Sequence, residues 1–151
     1  MKPTRSCEVY IDGASHGNPG PAGVGVVFMD CAAGRDPRGA EGEPRPIREF
    51  SKYVGETTNN VAEYLALIYA LQEALQQGYS ALTVKTDSEL LARQISGAYK
   101  VRHAQLRLFH DLALHLAQGF RSFSIAHIPR LQNRFADRLA GQAVRQRFNQ
   151  R

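Results

Sequence analysis

The sequence predicts a mixed α/β fold in which three strands come first and helices then alternate with strands. Apolar and polar residues alternate from Cys7 to Asp12, which is the two-residue period of a half-buried strand. From Val61 to Leu75 the apolar residues recur at spacings of three and four, which is the period of a helix with one buried face. Since 43% of the residues are hydrophobic, we expect one core and a single domain over residues 1–151.

The first three strands follow one another through a turn and a loop. Residues 7–12 form the first strand and place Asp12 at its end, after which GNPGPAG turns the chain. The second strand is expected from Val24 to Met29 and the third near Ile47 to Gly55. Between them, Ala32 to Pro46 is rich in Gly, Pro and charge, which favours a loop.

Helices and strands alternate in the rest of the chain. The first helix is expected from Asn60 to about Gln77, with either Thr58 or Asn59 as its cap. The later elements are a strand over residues 81–87, a helix from Ser88 to about Ser96, a helix from about His103 to Gln118, a strand through Phe123 and Ile125, and a helix from about Asn133 to Gln146. A right-handed crossover would lay the fourth strand parallel to the first, so that Asp12 and Asp87 meet, each on the polar side of its strand.

Charge is unevenly distributed along this chain of net charge +5. Residues 1–92 contain 8 Lys and Arg against 12 Asp and Glu, whereas residues 93–151 contain 11 against 2. An acidic half can hold divalent cations and a basic half can neutralise phosphates, which favours a nucleic-acid enzyme. Charge alone is weak support, because many basic proteins of this size bind no nucleic acid.

The sequence also argues against a membrane or secreted protein. No apolar stretch approaches the roughly 18 residues of a membrane helix, and the first residues lack the apolar segment of a secretion signal. We therefore expect a cytoplasmic protein. Cys7 and Cys31 would lie on neighbouring strands, and in that compartment we expect two reduced, packed thiols rather than a disulfide.

Four acidic residues stand in four separate segments of the chain: Asp12, Glu63, Asp87 and Asp137. An ionised carboxylate beside packed structure needs a cation or a strong partner to offset its desolvation. Glu63 is such a case, because apolar residues follow it along the same face of its helix. Together the four suit two divalent ions about 3.5 to 4 Å apart, which can stabilise both the attacking and the leaving oxygen of a phosphodiester displacement.

The segments around these acids resemble those of type 1 ribonuclease H. The matching stretches are, in chain order, DGASHGNPGPAGVG, TTNNVAEY, TDS and N-x-x-AD-x-LA. They extend over nearly the whole chain, and four in the right order are far more specific than any one of them. The resemblance implies the ribonuclease H-like fold, a five-stranded mixed sheet of order 3-2-1-4-5 flanked by helices. It also implies a metal-dependent endonuclease that cuts the RNA strand of RNA/DNA hybrids.

The same resemblance implies that the four acids are the catalytic metal ligands, with Asp12 shared by two ions. We expect Mg²⁺ to be the physiological ion and Mn²⁺ to substitute for it, because a site made only of carboxylate oxygens suits either hard cation. The products would carry 5′-phosphate and 3′-hydroxyl ends.

Polar residues beside the acids are implied to bind the hybrid. Ser15 and Asn18 in the glycine-rich turn, and Asn59 and Asn60 across the groove, would lie against the RNA strand and recognise its 2′-hydroxyl groups. The glycine-rich turn itself lacks the GK[ST] of a P-loop and the following helix of a dinucleotide site, so we interpret it as a hairpin turn.

The chain departs from the best-known bacterial members of the family after its second predicted helix. The segment GAYKVRHA leaves no room for their extra basic helix and loop, and the chain has no Trp. It therefore resembles the shorter branch of the family, without that protrusion. Lys100 and Arg102 in this segment become the candidates for holding the opposite strand. Ser88, the last residue of TDS, completes the substrate-binding candidates, and no obligate protein partner is evident.

Two residues compete for a role in moving protons or holding the phosphate. His127 lies ten residues before Asp137, the separation of the family's catalytic histidine, and an imidazole can exchange protons near neutral pH. Strand alternation places His127 on the face of Phe123, whereas Arg130 enters the following loop and can reach the scissile phosphate. We favour Arg130, which would act as a permanent cation.

Two other interpretations stay open, namely another nuclease of the same fold and a module that binds hybrids without cutting them. A proofreading-type exonuclease would need a second acid two residues after the first, where this chain has Ala14. A non-cleaving module would have no need of all four acids.

Overall fold

The computed structural model describes residues 5–29 and 46–147. The strands are β1 Ser6–Ser15, β2 Gly20–Met29, β3 Pro46–Thr57, β4 Ala81–Thr86 and β5 Ser122–His127. The helices are α1 Asn59–Gln76, α2 Glu89–Ser96, α3 Ala104–Ala117 and α4 Arg134–Arg145, with a short 3-10 turn at Arg130–Gln132. Each strand and helix predicted from the sequence is present in the predicted order.

The five strands form one mixed sheet of order β3-β2-β1-β4-β5, as predicted. β1 pairs antiparallel with β2 and parallel with β4, so that Ile11 lies between Val26 and Thr86. The outer pairs are β2 with β3, antiparallel, and β4 with β5, parallel. Thr58 caps α1, because its hydroxyl accepts a hydrogen bond from the backbone N–H of Val61.

Helices cover both faces of the sheet. On one face α1 packs against β1 and β2, and the main core there includes Val26 and Leu67. On the other face α4 packs against β2 and its neighbours, where Val27 and Leu139 belong to a smaller apolar cluster. Val26 and Val27 are adjacent in one strand and therefore point to opposite faces, which is how a single strand supplies both clusters.

Strands β1 and β2 are longer than predicted, and Asp12 does not lie at the end of its strand. Pairing continues from Asp12 opposite Gly25 to Ser15 opposite Ala22. Backbone groups make this ladder, so it continues after the apolar alternation has stopped. The predicted polar side of β1 is also wrong in part, because Tyr10 packs against the apolar cluster under α4.

Two predictions fall outside the described residues. The loop predicted from Ala32 to Pro46 lies outside them except for Pro46, which begins β3. Cys31 also lies outside, so the state of the two thiols stays a prediction, although Cys7 is buried. Within the described ranges, none of the helices has the length and apolar character needed to cross a membrane.

Candidate active site

Three of the four predicted acids meet where β1, β4 and α1 come together. One carboxylate oxygen from each of Asp12, Glu63 and Asp87 lies within 4.8 Å of the other two. Asp12 and Glu63 are each only 5% exposed, and Asp87 is half-buried directly after β4. Ile11 and Thr86 pair in the parallel ladder, and each is followed by one of the aspartates. This register explains why the two aspartates are neighbours.

Helix α1 brings Glu63 to the aspartates through close contact with β1. The backbone N–H of Gly13 donates a 2.6 Å hydrogen bond to Glu63 Oε1. A Cβ on Gly13 would lie 2.2 Å from the carbonyl group of Ala62, so the helix can approach this closely only at a glycine. Leu67 and Ala70, which follow Glu63 on the same helical face, are fully buried as predicted.

Helix α4 adds Asp137 to the cluster. Its carboxylate lies close enough to Asp12 to raise the pKa of that carboxyl, and Arg130 Nη2 lies 3.6 Å from Asp137 Oδ1. The position of the helix depends on Gly25, which lies opposite Asp12 in the ladder. A Cβ on Gly25 would lie 2.2 Å from the carbonyl oxygen of Ala136. The four acids predicted from sequence therefore form one group, which we call the acidic cluster: Asp12, Glu63, Asp87 and Asp137.

Burial and mutual repulsion raise the proton affinity of the cluster. The pKa of Asp12 is raised from 3.8 to about 9, first by burial and then by the negative charges of Glu63, Asp87 and Asp137. Burial also raises the pKa of Glu63 from 4.5 to about 8, although the hydrogen bond from Gly13 opposes this shift. In the absence of a cation, the cluster therefore retains protons at neutral pH.

These residues fit a divalent metal ion. The donors are carboxylate oxygens, which Mg²⁺ and Mn²⁺ prefer, and three of them converge within 4.8 Å. A bound cation would replace the protons and remove the repulsion that raises the pKa of Asp12. The side-chain oxygen of Asn133 next to the cluster is buried and has no hydrogen-bond partner among the described residues. The hydration shell of a metal ion contains donors that could satisfy it.

Three of the four residues predicted to face the RNA strand form one hydrogen-bonded group. Asn18 Oδ1 accepts from the backbone N–H of Asn59 at 3.0 Å, and Asn59 Oδ1 accepts from the backbone N–H of Ser15 at 3.3 Å. Asn60 is exposed beside them. Neither side-chain NH₂ group takes part in these bonds, so both can still donate to a substrate.

The candidates for the opposite strand lie between α2 and α3. Lys100 and Arg102 are both exposed there, and Lys100 lines an open groove of about 530 Å³ together with Arg107. Ser88 has a structural contact of its own, because its hydroxyl accepts a 3.1 Å hydrogen bond from the backbone N–H of Leu91 and so caps α2.

His127 and Arg130 occupy different places beside the cluster. His127 is exposed at the last position of β5, where it pairs with Thr86 in the ladder. Arg130 begins the 3-10 turn, and 80% of its side chain is exposed although the guanidinium forms the ion pair with Asp137. Arg130 is therefore in contact with the acidic cluster and remains accessible to a substrate.

Asn133 is a site residue to which sequence reasoning assigned no role. It is 1% exposed, and its Nδ2 donates hydrogen bonds to the carbonyl oxygen of Ile11 and to Asp87 Oδ2. In the sequence it is the first residue of the N-x-x-AD segment, directly before a helix. An Asn in that place usually caps the helix, so the pattern alone does not reveal its contact with the cluster.

Comparisons with known proteins agree with this geometry. A family model described as reverse transcriptase-like matches residues 10–143. Ribonuclease HI of Halobacterium salinarum is 38% identical over 146 residues, which is 95% of this chain and 68% of that protein. A bifunctional protein of Mycobacterium tuberculosis is 38% identical over 136 residues, which is 90% of this chain but 35% of that longer protein. The solved structure of LC11-RNase H1 in complex with an RNA/DNA hybrid is similar with a TM-score of 0.82 at 37% identity, covering 94% of this chain and 99% of that one.

Proposed function

Since this chain belongs to the type 1 ribonuclease H family, we propose that it hydrolyses the RNA strand of RNA/DNA hybrids. The observation that carries the proposal is the acidic cluster, in which four acids from four segments converge beside polar side chains. A fold alone does not define an activity, but this arrangement suits metal-assisted phosphodiester hydrolysis. The hybrid complex of a relative at 37% identity supports the class of substrate. Cleavage is endonucleolytic and leaves 5′-phosphate and 3′-hydroxyl ends.

The acidic cluster is proposed to hold two Mg²⁺ ions, for which Mn²⁺ can substitute. When bound, the ions supply an activated water and stabilise charge on the attacking and leaving oxygens. Asp12 is the best placed to be shared, because it offers a ligand atom within 4.8 Å of those of Glu63 and Asp87 and lies near enough to Asp137 for that carboxylate to raise its pKa. The protein contributes by fixing these oxygens before the substrate arrives, with those of Asp12 and Glu63 in buried positions.

Two sets of polar side chains are proposed to distinguish the two strands of the hybrid. The exposed amides of Asn18, Asn59 and Asn60, with Asn59 held by the backbone N–H of Ser15, can donate to and accept from 2′-hydroxyl groups, which only RNA has. The remaining substrate-binding candidates are Lys100 and Arg102, which would hold phosphates of the DNA strand, and Ser88 at the cap of α2.

Arg130 is proposed to hold the scissile phosphate beside the cluster. Its guanidinium is permanently charged, accessible and already next to Asp137, so it can bind a phosphate oxygen without exchanging a proton. His127 is the alternative to Arg130 as the assisting residue, and it would act differently, as an imidazole that transfers protons.

The test is cleavage of a hybrid whose RNA strand is labelled at its 5′ end, with Mg²⁺ present. We expect fragments of the RNA strand, and none from the same RNA alone or from the corresponding DNA duplex. Asp12→Asn, which keeps the shape of the side chain and removes its charge, and excess chelator should each abolish cleavage. A hybrid that is bound but stays intact would make the chain a binding module. Cleavage of the DNA strand, followed with a separate label on that strand, would assign it to another class of nuclease.

A further inference from the structure

Asn133 connects three of the segments that carry the acidic cluster. Its side-chain NH₂ group donates one hydrogen bond to the carbonyl oxygen of Ile11 at 2.8 Å and another to Asp87 Oδ2 at 3.1 Å. Its backbone carbonyl accepts from the N–H of Asp137 at 3.0 Å. One residue therefore holds the backbone next to Asp12, the carboxylate of Asp87 and the first turn of the helix that carries Asp137.

The usual role of Asn at a helix start does not account for these contacts. Asn133 occupies the N-cap position of α4, where the side-chain oxygen normally accepts from an N–H of the first turn. No such bond is formed here. Both partners of the side-chain NH₂ group are acceptors, which fixes the orientation of the amide and leaves its oxygen buried without a partner among the described residues. The amide of Asn133 thus bonds to the cluster instead of capping α4.

We propose that Asn133 is a positioning residue that fixes the separation of Asp12 and Asp87 and so sets the affinity of the cluster for divalent metal. Carboxylates this close repel one another and do not maintain their own spacing. A neutral amide can orient Asp87 without competing with the metal as a cation would. The inference rests on the metal site of the proposed function and does not depend on which nucleic acid is cut.

The test compares Asn133→Ala and Asn133→Leu with a matched control, Gln94→Ala. The Leu variant fills the space of the amide but donates no hydrogen bond, so it separates bonding from packing. Gln94 is likewise a buried amide, at 5% exposure, but its side chain accepts from the hydroxyl of Tyr64 rather than contacting the acids. Each protein is titrated with MgCl₂ and with MnCl₂ in the absence of nucleic acid. The quantity compared is the metal midpoint, the concentration that half-saturates the site, obtained by fitting the rise of Tm to the logarithmic dependence of stability on metal concentration.

We expect both Asn133 variants to need about 10- to 100-fold more metal, the range typical for residues that orient metal ligands. In cleavage assays kcat should fall while KM for the hybrid changes little, and excess Mn²⁺ should recover part of the rate. Gln94→Ala should lower Tm in chelator and keep the wild-type metal midpoint. The two Asn133 variants differ in side-chain size, so the metal midpoint can still be compared with that of the wild type if one of them does not fold.

Asn133 variants that lower Tm but keep the wild-type metal midpoint would show a purely structural role and overturn the proposal. An equal change of the midpoint in Gln94→Ala would overturn it as well. A wild-type protein that binds metal but leaves hybrids intact would instead contradict the proposed function, and the comparison of metal midpoints would still decide the role of Asn133.

Discussion

Replacing Gly25 by Ala should displace α4 and disable the acidic cluster. The added Cβ would lie 2.2 Å from the carbonyl oxygen of Ala136 and 2.8 Å from the backbone nitrogen of Ala140, whereas ordinary contact begins at 3.4 Å. Both atoms belong to the helix backbone, so the helix has to retreat by about 1.2 Å. Overpacking of this kind typically costs ~1 to 3 kcal/mol of unfolding free energy.

Asp137 directly follows Ala136 and moves with the helix. Since a misplacement of about 1 Å can lower a rate ~100-fold, we expect kcat for hybrid cleavage to fall by about that factor, together with Tm. Gly141→Ala is the control in the same helix, because a Cβ there meets only the end of the Arg145 side chain at 3.2 Å. Ala also favours a helix by ~0.5 to 1 kcal/mol over Gly, so Tm should rise while kcat stays unchanged. A wild-type kcat and Tm in Gly25→Ala would refute the idea that close packing of α4 on β2 places Asp137.

Three further outcomes are expected. In chelator, Tm should fall as the pH rises from about 5 to about 9, because the raised pKa values of Asp12 and Glu63, about 9 and about 8, let the folded protein keep protons that the unfolded chain releases near pH 4. This stabilising contribution is complete below pH ~4 and is lost as the pH passes through the folded-state pKa values. Asp12→Asn or saturating Mg²⁺ should therefore flatten the dependence of Tm on pH. A Tm of the wild-type protein that does not change with pH in chelator would contradict the pKa shifts. The affinity of Asp12→Asn for a hybrid, measured by fluorescence anisotropy, should fall steeply between about 50 and 200 mM salt; an unchanged affinity would exclude binding through phosphates. At saturating Mg²⁺, Arg130→Ala should lower kcat by ~10² to 10⁴, and if His127→Ala loses that factor while Arg130→Ala does not, His127 is the functional residue.

The order of elements and the four acids can be predicted because each is marked by a pattern of residue types within a short segment. One face of β1 and one face of α1 are buried, and burial requires apolar residues. This requirement produces the alternation in β1 and the row of apolar residues that follows Glu63 in α1. The extent of β1 beyond Asp12 was not predictable in this way. Backbone pairing continues to Ser15 opposite Ala22, and it does not depend on whether the side chains are polar or apolar.

Residues at helix starts show a second limit of sequence reasoning. Ser88 is predicted to bind substrate from its place in the TDS segment, and this role stays a prediction, while the structure shows that its hydroxyl also caps α2 through Leu91. Asn133 differs from Ser88. It occupies the cap position of α4, but its side chain bonds to Asp87 and forms no cap hydrogen bond. Both residue types are favoured as caps, so a pattern before a helix cannot distinguish capping from a contact with a distant segment.

Two glycines explain how carboxylates that repel one another are held in one cluster. Gly13 follows Asp12 in β1, and Gly25 lies opposite Asp12 in β2. A Cβ at either position would meet helix backbone at 2.2 Å, so α1 and α4 touch the sheet directly on the two sides of Asp12. Burial of the apolar faces of these helices offsets the repulsion that their acids create. Packing therefore brings the acids together, hydrogen bonds from Gly13 and Asn133 orient two of them, and a bound cation would relieve the repulsion that remains.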